Sequence, residues 1–220
     1  MEIEKLIDST LLRPEATESE IVRLCEEARE YGFASVCTNS CYAETVSRVL
    51  EGSGVKTCVV VGFPLGAAST EAKVCEARYA LEAGAEEVDM VMNAGALKGA
   101  EPGRVESDIR AVVEKCKGKA LVKVILECCL LSDSEKVEAC GIAVAAGADF
   151  VKTSTGFGSG GATAHDVKLM KDAVAGRARV KASGGIRDLE KAIEMIDAGA
   201  DRLSTSNGAA IVVESRRKGV

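Results

Sequence analysis

The sequence has a single histidine, His165, among 220 residues. Histidine is the commonest metal ligand and the side chain that titrates closest to neutral pH. A histidine-rich metal site is therefore excluded. Any catalysis must depend on lysine, carboxylate, thiol, phenol or hydroxyl groups.

Paired cysteine motifs are also missing, although the chain contains nine cysteines. The closest pairs are Cys37 with Cys41 and Cys128 with Cys129, and no Cys-x-x-Cys motif occurs. An odd number of thiols with such spacing does not indicate a disulfide framework. Most of them lie in apolar patterns, so we expect most to be reduced core residues.

Long apolar runs are absent as well. No stretch approaches the roughly 18 apolar residues that a membrane-spanning helix needs, and residues 1–5 lack the apolar core of a signal peptide. The formal net charge of -6 disfavours nucleic acid and anionic membranes as partners. We expect a cytoplasmic protein that binds neither nucleic acid nor a membrane.

A glycine followed by an apolar, β-branched run does recur along the chain. The repeat has the length of about one βα unit, roughly 20 to 35 residues. Its glycines are Gly32, Gly54, Gly84, Gly118, Gly147, Gly176 and Gly199. Because glycine is a common helix C-cap, each one predicts the passage from a helix to a strand. With a short first strand at about residues 6–10, the pattern predicts eight strands.

Amphipathic helices are predicted between these strands. Residues 17–20 and 132–135 have the spacing of a capping box, and apolar residues recur at helical intervals after each. Alternating strands and helices imply a parallel sheet covered by helices. Eight such units favour an α/β fold, a (β/α)₈ TIM barrel formed by residues 1–220 as one domain. An open doubly wound sheet is the alternative.

Four consecutive predicted strands each carry one ionisable residue in an apolar run: Asp89, Lys123, Lys152 and Lys181. A single lysine in a strand usually extends its ammonium group to solvent. Charged residues on four neighbouring strands instead indicate a shared polar pocket. In a barrel, that pocket lies at the carboxyl ends of the strands.

The lysines predict Schiff-base chemistry. Burial and a nearby like charge both disfavour a protonated lysine, and a neutral amine can attack a carbonyl group. On this reasoning either Lys152 or Lys181 is the nucleophile, and the other lysine lowers its pKa. Asp89 could move protons, directly or through water, and Lys123 could pair with Asp89 or position it.

Glycine-rich turns follow the last two predicted strands, at residues 183–185 and 204–208. Loops in these positions, with a helix N-terminus, often bind phosphate in barrels. A further glycine-rich segment, residues 156–161, lacks the ending of a P-loop. We interpret it as a mobile active-site loop, and the two turns as a phosphate site.

Several of these segments resemble those of the deoxyribose-phosphate aldolases, a family of class I aldolases. Residues 152–157 (Lys-Thr-Ser-Thr-Gly-Phe) resemble the family's Schiff-base motif, and residues 180–187 resemble its second-lysine strand. Other similar segments are residues 6–12, 59–66 and 87–91. The resemblance extends over most of the chain.

The resemblance implies that Lys152 forms an imine with the substrate and that Asp89 and Lys181 transfer protons, with Lys123 as a further catalytic residue. The implied reaction is reversible cleavage of 2-deoxy-D-ribose 5-phosphate to acetaldehyde and D-glyceraldehyde 3-phosphate, in deoxyribonucleoside catabolism. No metal or other cofactor is expected, because the protonated imine accepts the electrons. Expected substrate contacts are Asp8, Thr10, Cys37, Thr153, Thr155, Gly156, Ser183, Gly184, Gly185, Ser206 and Asn207. A homo-oligomer, either a dimer or a tetramer, is also expected.

The sequence departs from the family at several positions. Ser9 stands where histidine is frequent, Ser204 where glycine is frequent, and Asn207 where a smaller residue is common. Residues 214–220 contain no tyrosine, which some members use in catalysis. Cys37 either lines the pocket or is a buried core thiol.

Two other functions are compatible with these residues. The chain could be another lysine-dependent aldolase with a different aldehyde acceptor, or a barrel that binds phosphosugars without turnover. The presence of Lys152, Lys181 and Asp89 together argues against the second.

Overall fold

Eight parallel strands form a closed barrel in the computed structural model, which describes residues 2–219. The strands are β1 (Ile7–Leu11), β2 (Ser35–Thr38), β3 (Lys56–Val61), β4 (Glu87–Val91), β5 (Leu121–Ile125), β6 (Phe150–Lys152), β7 (Arg179–Ser183) and β8 (Arg202–Thr205). Each strand pairs with the next, and β8 pairs with β1. The predicted TIM barrel is confirmed. The open sheet is wrong, because the pairing of β1 with β8 leaves no free edge.

Helices surround the barrel and connect its strands. They are α1 (Glu18–Tyr31), α2 (Ala43–Leu50), α3 (Thr70–Glu82), α4 (Ala94–Lys98), α5 (Pro102–Cys116), α6 (Asp133–Ala145), α7 (Ala164–Val174), α8 (Leu189–Asp197) and α9 (Gly208–Lys218), with one-turn 3₁₀ helices at Ile3–Leu6, Ser40–Tyr42 and Cys128–Leu130. Strand β1 begins one residue later than predicted, because Leu6 ends the first 3₁₀ helix. Among residues 2–219, no helix combines the length and the apolar character that crossing a bilayer demands.

Both predicted capping boxes are present at helix starts. Before α6, the backbone N–H of Ser132 donates to Glu135 Oε2 (2.7 Å), and the N–H of Glu135 donates to Ser132 Oγ (3.4 Å). Before α1, the N–H of Thr17 donates to Glu20 Oε2 (2.9 Å). These bonds satisfy donors that the first helical turn leaves free.

Side chains of each strand alternate between two environments, as strand geometry requires. In β4, Val88 and Met90 pack in the apolar core between sheet and helices. Glu87 and Asp89 are equally buried but contact charged groups of other strands inside the barrel. The inward face of the sheet therefore carries the charges, and the outward face carries the main core.

A buried ion pair outside the barrel holds the carboxyl end of β4 in place. Lys73 on α3 is fully buried, and its Nζ lies 2.6 Å from Asp108 Oδ2 on α5 and 3.0 Å from the carbonyl oxygen of Val91. Asp108 Oδ1 also accepts a hydrogen bond from Thr70 Oγ1 (2.8 Å). Since Val91 is two residues beyond Asp89, this pair supports the strand that carries the central carboxylate.

Removal of the Lys73 ammonium group should destabilise the fold. Breaking one side of a buried pair typically costs about 3–5 kcal/mol, so Lys73→Met should lower the free energy of unfolding by about 3 kcal/mol or more. Urea denaturation followed by circular dichroism measures this change. The double variant Lys73→Met/Asp108→Leu should recover part of the loss, because no buried charge is then left unpaired.

The matched control for this prediction is Lys168→Met. Lys168 pairs with Asp172 at 2.9 Å, but the two side chains are 68% and 65% exposed. Exposed pairs contribute little to stability, so the free energy of unfolding should stay nearly unchanged. Equal losses for Lys73→Met and Lys168→Met would contradict the assigned role of the buried pair.

Candidate active site

The four ionisable residues predicted on neighbouring strands lie together inside the barrel. Asp89, Lys123, Lys152 and Lys181 are on β4, β5, β6 and β7, and all four are fully buried. The strand register places Asp89 beside Lys123 and Lys152 beside Lys181. Partners in register project from the same face of a sheet, so the prediction of one shared polar pocket is confirmed.

The carboxylate of Asp89 accepts hydrogen bonds from all three lysines. Its Oδ1 accepts from Lys123 Nζ (2.8 Å), and its Oδ2 accepts from Lys152 Nζ (2.8 Å) and Lys181 Nζ (2.7 Å). Burial acts to raise the pKa of Asp89, but the three positive charges hold it well below its ordinary value. Asp89 is therefore an anion in the resting site.

A second set of charges lies nearer the amino ends of the strands. Arg202 forms ion pairs with Asp8 and with Glu87 Oε2, the latter at 3.1 Å. Glu87 Oε2 also accepts a hydrogen bond from Lys123 Nζ (2.5 Å). The sequence reasoning missed Glu87 and Arg202. Glu87 had a usable signal, because it precedes Asp89 by two residues and so shares its side of the strand.

Lys181 has a different charge state from the one expected. Its Nζ lies 2.5 Å from Asp8 Oδ2 and 2.7 Å from Asp89 Oδ2. Burial acts to lower the pKa of Lys181, but Asp8 and Asp89 raise it above the ordinary lysine value. The expectation that repulsion between the lysines favours a neutral amine is therefore wrong for Lys181, because two carboxylates outweigh the neighbouring cations.

Lys152 has fewer anionic partners than Lys181. Within residues 2–219, its ammonium group contacts one carboxylate, that of Asp89. Lys152 thus has fewer ion pairs to lose than Lys181 when its nitrogen bonds to a carbonyl carbon. The geometry therefore favours Lys152 over Lys181 as the nucleophile, which residue spacing by itself left open.

Thr153, Ser183 and Thr10 are predicted substrate contacts that form hydrogen bonds within the protein. Thr153 Oγ1 donates to the carbonyl oxygen of Ser183 (3.1 Å) and accepts from the Ser183 N–H (3.0 Å), which connects β6 to β7 beside the lysines. Thr10 Oγ1 lies 2.8 Å from Ser204 Oγ. The hydroxyl of Ser204, a departure from the family pattern, is thus paired inside the barrel.

The loop after β6 is anchored by Glu127, which the sequence reasoning also missed. Glu127 is buried and has a left-handed backbone (φ 58°, ψ 66°). Its carboxylate accepts hydrogen bonds from the N–H of Thr155 (3.3 Å) and from Thr155 Oγ1. Thr155 Oγ1 in turn accepts from the N–H of Phe157 (3.0 Å). The only sequence signal for Glu127 is an acidic residue two positions beyond β5.

The loops after β6 and β7 meet through their backbones. Gly184 and Gly185 have positive φ angles of 89° and 80°, and the carbonyl oxygen of Gly184 accepts a hydrogen bond from the N–H of Ala162 (3.0 Å). A Cβ atom added to Gly161 would lie 2.3 Å from the Gly184 oxygen. Only glycine allows this approach, which brings the predicted active-site loop against one of the two predicted phosphate-binding turns.

The loop after β8 completes this group and leads into α9. The Asn207 N–H donates to Thr205 Oγ1 (3.0 Å), and Asn207 Nδ2 donates to the carbonyl oxygen of Arg187 (3.1 Å). The Asn207 side chain therefore ties the β8 loop to the β7 loop. Gly156, Gly185 and Ser206 are exposed, and the N-terminus of α9 carries partial positive charge. The arrangement presents backbone and hydroxyl donors to an anion.

Two thiols lie beside the same carboxylate. Cys37 Sγ is 3.9 Å from Asp89 Oδ2, and Cys58 Sγ is 3.2 Å from Asp89 Oδ1. Their ligand atoms are close enough to hold a metal ion, as are those of an outer group formed by Asp133, His165 and Asp166. A divalent cation at Asp89 is disfavoured by repulsion from the three ammonium groups that already contact it.

Known proteins with this sequence pattern are aldolases. A sequence profile of the DeoC/LacD family of aldolases matches residues 4–213. The chain belongs to this family. The deoxyribose-phosphate aldolase of Clostridium tetani is 59% identical over 216 residues, which cover 98% of this chain and 100% of that protein.

Two further deoxyribose-phosphate aldolases are similar over nearly their whole length. The deoxyribose-phosphate aldolase of a Geobacillus species is 58% identical over 210 residues, 96% of this chain and 94% of that protein. The solved structure of a tetrameric deoxyribose phosphate aldolase from Aeropyrum pernix has a TM-score of 0.91 at 39% identity, covering 99% of this chain and 92% of that one.

The buried charges of this DeoC/LacD aldolase should make its stability depend on acidic pH. Burial acts to raise the pKa of Asp8, but Lys181, Arg202 and Lys123 lower it overall. A carboxyl group with a depressed native pKa contributes stability above its unfolded pKa of about 3.9, and this stability is lost as the pH falls. The free energy of unfolding should therefore decline below about pH 5. Asp8→Asn should be less stable at neutral pH and decline less steeply.

Urea denaturation at a series of pH values between about 3 and 7 measures this difference. Asp172→Asn is the control, because Asp172 lies in an exposed ion pair and should leave the profile of the unmodified protein unchanged. Parallel profiles for Asp8→Asn and the unmodified protein would show that Asp8 is not the titrating group.

Proposed function

We propose that this chain is a deoxyribose-phosphate aldolase, which reversibly cleaves 2-deoxy-D-ribose 5-phosphate to acetaldehyde and D-glyceraldehyde 3-phosphate. The observation that carries the proposal is that Lys152 and Lys181 both donate to Asp89 Oδ2 but contact different numbers of carboxylates. Lys181 is held as a cation by two carboxylates, whereas Lys152 contacts one. The 59% identity to the Clostridium tetani enzyme supports the same substrate.

Imine formation begins with loss of a proton from Lys152. Its Nζ donates to Asp89 Oδ2 at 2.8 Å, so the carboxylate can accept this proton, directly or through water. The neutral amine then adds to the aldehyde carbon of the open-chain sugar and forms a carbinolamine. Lys181, which is protonated, supplies a proton to the departing hydroxyl, and a protonated imine and water result.

Carbon–carbon cleavage uses the protonated imine as the electron acceptor. Lys181, neutral after its proton transfer, takes the proton of the C3 hydroxyl; the C2–C3 bond breaks, D-glyceraldehyde 3-phosphate leaves and an enamine stays on Lys152. The enamine nitrogen is neutral, so Asp89 then faces two cations instead of three, and its pKa is less depressed. Asp89, which accepted a proton from Lys152, gives one to the enamine carbon, and hydrolysis of the resulting imine releases acetaldehyde and restores Lys152.

The charges inside the barrel suit an anionic substrate. Among the described residues, three fully buried lysines (Lys123, Lys152 and Lys181) and the partly buried Arg202 face three carboxylates (Asp8, Glu87 and Asp89). The surplus positive charge favours a bound phosphate through the field in the pocket. We assign the phosphate to the donors of Gly156, Gly184, Gly185, Ser206 and Asn207. Thr155 positions this loop through Glu127.

Lys123, predicted as catalytic, and several predicted substrate contacts receive positioning roles in this proposal. Asp8 and Lys123 hold Lys181 and Asp89 by ion pairs, and Thr153 joins β6 to β7 through Ser183. Thr10, with its half-buried hydroxyl, stays a predicted contact. We further propose that the barrel is one catalytic domain that assembles as a homo-oligomer, as the tetrameric Aeropyrum pernix relative suggests. A cytoplasmic location stays a prediction.

Borohydride trapping tests the nucleophile. Incubation with acetaldehyde and sodium borohydride should reduce an imine on the unmodified protein and add an ethyl group of about 28 Da. Peptide mapping should place the adduct on Lys152, and Lys152→Ala should show no adduct at that pocket. Lys181→Met is the matched control: trapping should be slower but still map to Lys152. A main adduct on Lys181, or none on the folded protein, would overturn the proposed mechanism.

The contact between Gly161 and Gly184 provides a test of the phosphate site. Gly161→Ala forces the two loops apart and should raise KM for 2-deoxy-D-ribose 5-phosphate by about tenfold, or ~1.4 kcal/mol. Turnover of unphosphorylated 2-deoxy-D-ribose should change much less. Gly103→Ala is the control, because a Cβ atom there would contact nothing within 4 Å. Equal effects of Gly161→Ala on both substrates would argue against a phosphate site at these loops.

A further inference from the structure

Cys37 and Cys58, which take no part in the proposed aldolase reaction, lie side by side in the barrel. Cys37 on β2 and Cys58 on β3 are direct partners in the parallel register, and both are fully buried. Adjacent strands are roughly 4.8 Å apart, and disulfides join Cα atoms roughly 4.4–6.8 Å apart. The two thiols project to the same face, so the backbone already has the spacing that a disulfide needs.

Cys37 shares a partner oxygen with the reacting amine of Lys152. Lys152 Nζ and Cys37 Sγ contact the same oxygen of Asp89, at 2.8 Å and 3.9 Å. A sugar bonded to the Lys152 nitrogen as an imine therefore lies close to Cys37. A hydroperoxide as small as hydrogen peroxide has access wherever the sugar does.

The two thiols differ in their readiness to ionise. The hydrogen-bond interaction between the two thiols lowers the pKa of Cys37, and Lys181 and Lys152 lower it further, against the opposite effects of burial and Asp89. Burial raises the pKa of Cys58 well above its ordinary value. Core thiols elsewhere differ from Cys37, since burial raises the pKa of Cys25 and of Cys140 to about 12. Cys37 is thus the thiol of the pair that ionises more readily, and the thiolate is the form of cysteine that reacts with peroxides.

We propose that Cys37 and Cys58 are a redox pair, in which a hydroperoxide oxidises Cys37 and Cys58 converts the product to a disulfide that reversibly inactivates the enzyme. The Cys37 thiolate attacks the peroxide, the O–O bond breaks, and Cys37 becomes a sulfenic acid. The released alkoxide takes up the proton that Cys37 had given up and leaves as an alcohol, or as water when hydrogen peroxide is the oxidant. The Cys58 sulfur then attacks the Cys37 sulfur, and the sulfenic hydroxyl leaves as water with the Cys58 proton. Two thiols are oxidised and one peroxide is reduced.

Disulfide formation would alter the contacts of the central carboxylate. In the reduced protein, Cys58 Sγ donates to Asp89 Oδ1 (3.2 Å) and lies 3.4 Å from Lys123 Nζ. A disulfide has no S–H, so the bond to Asp89 is lost. Because Lys152 and Lys181 are positioned by Asp89, the change reaches the reacting amine. Reduction by a dithiol restores both thiols and the original contacts.

The test uses a parent variant in which the exposed cysteines are replaced, Cys41→Ser/Cys75→Ser/Cys129→Ser, so that their oxidation does not obscure the result. Trypsin then releases Cys37 in residues 30–48 and Cys58 in residues 57–73, each as the only cysteine of its peptide. After treatment with hydrogen peroxide, the intact mass should fall by about 2 Da and these two peptides should be linked. Aldolase activity of the same samples should fall in proportion and return with dithiothreitol.

Two further variants of this parent separate the pair from general oxidation. With Cys58→Ala, no partner thiol is available. Cys37 should then gain about 16 Da as a sulfenic acid and later about 32 Da as a sulfinic acid, which dithiothreitol does not reduce. With Cys25→Ala, which removes a buried thiol outside the barrel, the linked peptides should form as in the parent.

The proposal is overturned if peroxide oxidises Cys37 in the parent without linking it to Cys58. It is overturned equally if neither peptide changes at concentrations that oxidise the exposed thiols of the unmodified protein, or if the linked protein keeps full activity. Disulfide formation is read from mass and does not depend on the proposed aldolase reaction. Failure of imine trapping would therefore be distinguishable from failure of the redox pair.

Discussion

The active site depends on one carboxylate that binds three ammonium groups. Each oxygen of Asp89 contacts at least one lysine, and the three lysines come from three different strands. Buried charges are tolerated only when they are paired and hydrogen-bonded. Strands β4 to β7 must therefore keep their register, because a shift of one residue would turn a charge toward the apolar core.

Unequal pairing within this cluster separates residues that look alike in the sequence. Lys123 and Lys181 each contact two or more carboxylates, and these carboxylates raise their pKa values against the effect of burial. Lys152 lies at the edge of the cluster with one such partner. The positive charge of these lysines favours a phosphate ester as substrate. The hydrogen-bond interaction with Cys58 lowers the pKa of Cys37, and Lys181 and Lys152 lower it further.

Structural features that depend on residues close together in the sequence were predictable from the sequence. The glycine junctions and capping boxes led to eight βα units, because helix ends and strand alternation are local properties. The polar pocket followed from Asp89, Lys123, Lys152 and Lys181, since each is a charge within an apolar run. Arg202 gave no such signal, because it is the first residue of its strand and a charged residue is ordinary at a strand end. Only closure of the barrel brings it next to Asp8.

The sequence by itself determined the strand order, the residues that bear the chemistry and the resemblance to an aldolase family, because these depend on periodicity and motif. Tertiary structure alone decided which charges are neighbours. The stagger of the strands places Lys181 between Asp8 and Asp89, gives Lys152 a single carboxylate, and sets Cys37 beside Cys58. Electrostatic shifts and thiol pairing depend on distances of a few ångströms across strands far apart in the chain, and no local pattern encodes those distances.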